Sequence, residues 1–159
     1  MTKTNKFAII DETLSGPFGE LPFANFLAAQ GTRWEGSPLP SGIKQGPAKQ
    51  CFKNAWGLTL SHGFQYCEGF GWDTQIGPLP FHHAWCLCPS SGQVIDATWA
   101  LGQNAVYLGI DVPPQKLMEI IDKSGCFGIF HGNRRADFDR VLETCNSQLT
   151  PTEQPAHHL

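Results

Sequence analysis

Apolar positions along this chain change period partway through. Between Ala48 and Gly63, the residues Ala48, Cys51, Phe52, Ala55, Trp56 and Thr59 recur at spacings of three and four, as one face of an amphipathic helix requires. Pro47 suits the first turn of that helix and Gly63 its stop, while Gly57 weakens the middle. Upstream, 21–30 reads as another helix closed by Gly31. The stretch from Thr32 to Pro47 is punctuated by Gly and Pro and reads as an irregular loop. Downstream the period shortens to two. The runs 64–70, 82–88 and 93–99 read as strands, the last two joined through Pro89-Ser90-Ser91-Gly92, a hairpin turn signal. The run 71–81 reads as a long loop. A strand over 106–112, a helix over 114–125, a short strand over 126–130 and a helix over 134–149 follow. In the last of these, Phe138, Val141, Leu142 and Cys145 form one stripe.

This order predicts an α+β protein in which a helix opening near a cysteine packs on a small antiparallel sheet. The chain has 159 residues, enough for one domain and a sizeable core. A single domain over 1–150 is expected, with a polar tail over 151–159 that frays.

Charge narrows the partners. The formal net charge is -3 and the 11 Lys and Arg are scattered, whereas phosphate binding calls for a basic stripe. No nucleic-acid partner is expected. The only apolar run near the N-terminus is the four residues Phe7 to Ile10, short of the roughly 7–15 of a signal-peptide core or the roughly 20 of a membrane span. The expectation is a soluble, cytoplasmic protein with no membrane partner. In that reducing compartment the six cysteines (51, 67, 86, 88, 126 and 145) are expected as free thiols, five of them as small core hydrophobes.

Cys51 stands apart because it falls in the first turn of its helix. A helix N-terminus favours a thiolate, the form of cysteine that attacks carbonyl carbon. An imidazole nearby can take the thiol proton and return it to a leaving group, and a carboxylate can fix the imidazole tautomer. His83 and Asp96 lie on the two strands of the hairpin. A turn centred on Ser90-Ser91 pairs Trp85 with Asp96 and His83 with Thr98, so His83 and Asp96 share a face as diagonal neighbours within side-chain reach. A slip of one residue would separate them.

Cys51 at a helix start, His83-Ala84-Trp85 on a strand and Asp96-Ala97-Thr98-Trp99 on the next resemble, in order and approximate spacing, the core of the transglutaminase-like branch of the papain-like cysteine enzymes. The resemblance covers about residues 45 to 112. It implies a papain-like fold and a Cys51-His83-Asp96 triad working through an acyl-enzyme. Gln45-Gly46, upstream of the cysteine, is similar to the pair in which papain-type proteases place an oxyanion-hole glutamine, which implies that role for Gln45. Gln50 is a weaker candidate for it. The chain departs from the papain protease pattern in Phe52 after the nucleophile and in Asp rather than Asn as third member.

The function expected from these residues is hydrolysis or acyl transfer at an amide, isopeptide or glutamine carboxamide bond, with a protein or peptide substrate and no cofactor. Bland readings stand beside it. Cys51 can be a buried core thiol, His83 a satisfied core histidine, and Trp72, Trp85, Trp99 and Tyr107 core packing rather than pocket wall. Asp96 is harder to explain blandly, since a buried carboxylate demands a partner. His82, His83, Cys86, Cys88 and Cys67 offer zinc-binding atoms, but His83 would face away from the others and no Cys-x-x-Cys pair exists, so no metal is expected. Glu68 reads as a solvated strand residue. A silent binding module on the same fold is the alternative from a different class.

Overall fold

The computed structural model describes residues 4–100 and 102–129. The apolar run at Phe7 opens helix α1 (Ala8–Ser15), too short for its period to show in the sequence. A 3-10 turn (Pro17–Glu20) leads to α2 (Pro22–Gln30), with Pro22 in its first turn and Gly31 beyond its end. Strand β1 (Thr32–Glu35) then occupies the start of the expected loop. Its hydrogen-bonding partner is a strand far downstream, so nothing local signals it.

Helix α3 (Cys51–His62) begins at Cys51 rather than Ala48. Lys49 adopts φ 62° and Gln50 φ -119°, ψ 39°, conformations that cannot continue a helical turn upstream. Gly63 closes the helix in the left-handed region at φ 68°, its N–H bonded to the Thr59 carbonyl, as a helix stop requires. β2 (Gln65–Asp73), β3 (Phe81–Leu87), β4 (Val94–Ile95), β5 (Ala105–Asp111) and α4 (Pro114–Ser124) complete the described chain. Residues 126–129 form no strand. The expected helix over 134–149 and the tail over 151–159 lie outside the described residues.

The five strands form one antiparallel sheet in the order β1-β5-β2-β3-β4. β3 and β4 pair Cys86 with Ile95 and Leu87 with Val94, the register that a turn centred on Ser90-Ser91 dictates. The four helices and this sheet make a mixed α+β structure whose two faces differ. Ile10, Leu27, Leu58 and Leu117 from the four helices pack with Trp72, Cys86, Val106 and Leu108 on one face. On the other, Cys67, Trp85, Leu87, Val94 and Tyr107 lie under Trp34 and Trp99. Each fully buried Leu or Ile contributes about 1.5–3 kcal/mol, so the helical face anchors α3. Gly71 makes room for the second cluster: a Cβ there would sit 2.8 Å from the Trp99 ring.

No helix among the described residues is long and apolar enough to cross a membrane.

Candidate active site

β4 ends after Ile95, and Asp96 explains why. Its Oδ1 accepts the backbone N–H groups of Thr98 at 2.9 Å and Trp99 at 3.2 Å, so the side chain takes donors a longer strand would offer to the sheet. Its Oδ2 accepts His83 Nε2–H at 2.8 Å and the Tyr107 hydroxyl at 2.7 Å. Four donors thus surround a carboxylate that is 3% exposed. Burial alone would raise its pKa. The hydrogen bond and charge of His83, with Tyr107 and Thr98, outweigh it and hold the carboxyl below its ordinary value.

The same contact acts on His83, which is 2% exposed. Burial pushes its pKa down, but the hydrogen bond and charge of Asp96, followed by those of Cys51, bring it up to about 9. The bond to Asp96 occupies Nε2 and leaves Nδ1 as the nitrogen that can exchange a proton with the thiol. Trp99 lies over the imidazole, ring centroids 4.1 Å apart and planes 16° from parallel, with Trp85 and Tyr107 stacked further out. These rings keep water from the carboxylate–imidazole pair and offer π-faces to an imidazolium.

Cys51 is the first residue of α3 and 8% exposed. The helix start is bound to the segment after β4: Asn54 Nδ2 donates to Thr98 Oγ1 and to the Pro47 carbonyl, both at 2.9 Å. Gly46 N–H donates to the Ala97 carbonyl at 2.7 Å. Gln45 is exposed, and its Nε2 donates to the Thr98 carbonyl at 3.3 Å. The loop bearing Gln45, the first turn of α3 and the segment after Asp96 are therefore one bonded unit. Gln50 precedes the helix, and its side chain does not cap it.

A second buried carboxylate lies on the helical face. Glu68 is fully enclosed. It accepts Tyr66 OH at 2.9 Å, pairs with His82 Nε2 at 2.8 Å, and accepts Ile129 N–H on both oxygens, at 2.8 and 3.0 Å. The expectation of a solvated Glu68 fails because β2 is the central strand, covered by α3 and by residues 126–129. Tyr66, two residues earlier on the same face, was its sequence signal.

The thiols divide as well. Cys67 and Cys86 are buried, and burial pushes both up, Cys86 to about 12. Cys88 is half-buried and packs against the cluster on the helical face, and Cys126 is exposed. At the hairpin corner, hydrogen bonds from Ser90 and Ser91 lower the Cys88 thiol to about 7. Cys145 lies outside the described residues. Among the described residues no three His, Cys, Asp or Glu side chains are grouped to hold a metal ion.

Of the sequence candidates, the structure brings His83 and Asp96 into direct contact, sets Cys51 beside the imidazole, and ties Gln45 to Thr98. Tyr107 as partner of Asp96 was missed, because its strand pairs with β2 and not with the hairpin. Compared with known proteins, the chain matches no family model, no curated protein and no solved structure.

Proposed function

We propose that this chain is a cysteine hydrolase or acyltransferase with a papain-like, transglutaminase-like core. The observation that carries the reading is the buried His83–Asp96 pair, bonded at 2.8 Å, with Cys51 acting on the same imidazole from the start of α3. A core histidine needs no carboxylate with four donors and no thiol beside its second nitrogen.

Catalysis would run through an acyl-enzyme. Nδ1 of His83 takes the Cys51 proton, and Sγ adds to the carbonyl carbon of an amide, isopeptide or glutamine carboxamide. The oxygen that gains charge would be bound by the Cys51 N–H and by Gln45 Nε2, on the loop that bonds to the Thr98 carbonyl beside the first turn of α3. The tetrahedral adduct collapses, the C–N bond breaks, and the imidazolium gives its proton to the departing nitrogen. Water, deprotonated by the same imidazole, then adds to the thioester; collapse expels Sγ and releases the acid. An amine in place of water makes the same step a transfer. Asp96 stays ionised throughout and holds Nε2–H. Hydrolysis of an amide or isopeptide bond of a protein or peptide substrate is the favoured reaction, with deamidation next to it.

The test is iodoacetamide labelling of each thiol across pH, read by mass spectrometry, on the native chain and on His83→Gln. Cys51 is expected to label at neutral pH faster than the exposed Cys126, and to lose that advantage in the variant while Cys88 keeps its own rate. A Cys51 that labels no faster than Cys126 in the native chain sinks the reading and leaves a silent binding module on this fold.

A further inference from the structure

Beside the start of α3 runs an open groove of about 320 Å³, lined by Lys49, Gln50, Phe52, Lys53, Cys126 and Phe127. That volume is at the low end for ligand pockets, so it suits one side chain or a chain end rather than an extended peptide. Gln50 and Phe52 flank Cys51 in the chain, so the groove lies at the same end of α3 as the proposed nucleophile, although Cys51 itself does not line it.

Its walls are built rather than left over. Glu68 grips the Ile129 N–H from inside the sheet, which fixes residues 126–129. Gly128, at φ 95°, lies against the Phe52 ring so closely that a Cβ would sit 2.9 Å from it. Lys53 Nζ rests 5.4 Å from the Phe127 centroid. The floor is aromatic and the rim carries two ammonium groups. Among the described residues neither lysine has an ion pair and no acidic side chain lines the groove. Lys49 also keeps a left-handed backbone, at φ 62°, that a non-glycine residue rarely adopts. Strain of this kind persists where the surrounding structure imposes it, commonly beside functional sites.

We propose that this groove is a specificity subsite for an acyl donor that carries a carboxylate next to an apolar group, at a peptide chain end or on an acidic side chain. Phe52 and Phe127 receive the apolar part, and Lys49 and Lys53 the carboxylate. The inference rests on the reading of Cys51 as a nucleophile and adds the substrate class.

Three reagents test it by alkylating Cys51: bromoacetyl-phenylalanine, bromoacetyl-glutamyl-phenylalaninamide, and the neutral bromoacetyl-phenylalaninamide. The readout is the ratio of anionic to neutral rate at Cys51, with Cys88 in the same sample as reference. The native chain is expected to show a higher ratio at Cys51 than at Cys88 for at least one anionic reagent, and which one identifies a terminal or a side-chain carboxylate. The double variant Lys49→Gly, Lys53→Ala, which suits the left-handed backbone, should lower the ratio roughly threefold to tenfold, the scale of two exposed charge pairs. Added salt should lower it in the native chain. His83 is intact in both proteins, so its charge cancels. Fast neutral labelling with a ratio indifferent to the lysines overturns the subsite and leaves the nucleophile standing. A Cys51 inert to all three overturns both. Labelling by all three that slows as protein concentration rises places a second copy of the chain over the groove and overturns the subsite.

Discussion

Replacing Asp96 by asparagine keeps the shape of the side chain and removes its charge. An amide oxygen turned toward the Thr98 and Trp99 N–H groups presents Nδ2–H to His83 Nε2 and to Tyr107. His83 must then accept at Nε2, which puts its proton on Nδ1, the nitrogen that serves the thiol. Turning the amide round sets two N–H groups against each other instead. Either way burial is no longer offset, and the imidazolium loses its support. The net of that support, the smaller contribution of Cys51 and the opposing cost of burial follows from the titration. His83 holds its proton to about pH 9 in the fold, against an ordinary 6.5. The folded state therefore keeps a proton that the unfolded chain releases, so this stabilisation is complete below pH 6.5 and is lost as the pH rises through 9. The gap converts to about 3 kcal/mol at ~1.4 kcal/mol per pH unit. Urea denaturation at pH 6 and pH 9.5 measures it: with an m of about 1.5 kcal/mol/M, the native midpoint should fall by about 2 M over that range. Asp96→Asn should be less stable at pH 6 by roughly 2–4 kcal/mol and nearly flat over the same range. Tyr107→Phe is the companion that keeps the charge. It should lose about 1–2 kcal/mol at both pH values and retain the slope. Parallel pH dependences for the native chain and Asp96→Asn would falsify the account of His83. So would a flat curve for Tyr107→Phe, and that arm holds even where Asp96→Asn fails to fold.

Cys88 should alkylate with an apparent pKa near 7, and Ser90→Ala with Ser91→Ala should move it toward 9; a pH profile that ignores both serines refutes the hairpin-corner account. At residue 49, glycine should be more stable than alanine by about 1 kcal/mol, because only glycine takes φ 62° without a Cβ penalty. Thermal denaturation decides this, and an alanine variant equal to the glycine one would show that the backbone relaxes there. Gly71→Ala drives a methyl group against Trp99 and should displace that ring from His83, costing about 1–3 kcal/mol and dulling the labelling of Cys51. Full reactivity in a folded Gly71→Ala protein would show that the stacked indole is dispensable.

Local chemistry alone carried much of this protein. The three-and-four spacing after Pro47 and the glycine at 63 set helix α3, since period and stop are properties of neighbouring residues. Alternation and the Pro89 to Gly92 turn set the hairpin and its register, and with them the approach of His83 to Asp96. Other features depend on residues distant in sequence. β1 exists because β5 returns beside it. Glu68 is buried because β2 ends up between β3 and β5, with residues 126–129 laid across it. Asp96 leaves its strand early because one carboxylate oxygen takes the Thr98 and Trp99 N–H groups, while Tyr107 and His83 hold the other, and the Tyr107 contact is one that no pattern in 93–99 reveals. The lysine-rimmed groove depends on a segment more than a strand and a helix away from Phe52. A sequence specifies local periods and turns through contacts between near neighbours. Which buried charges are paired, and which surface stays open, is decided when distant elements close on one another.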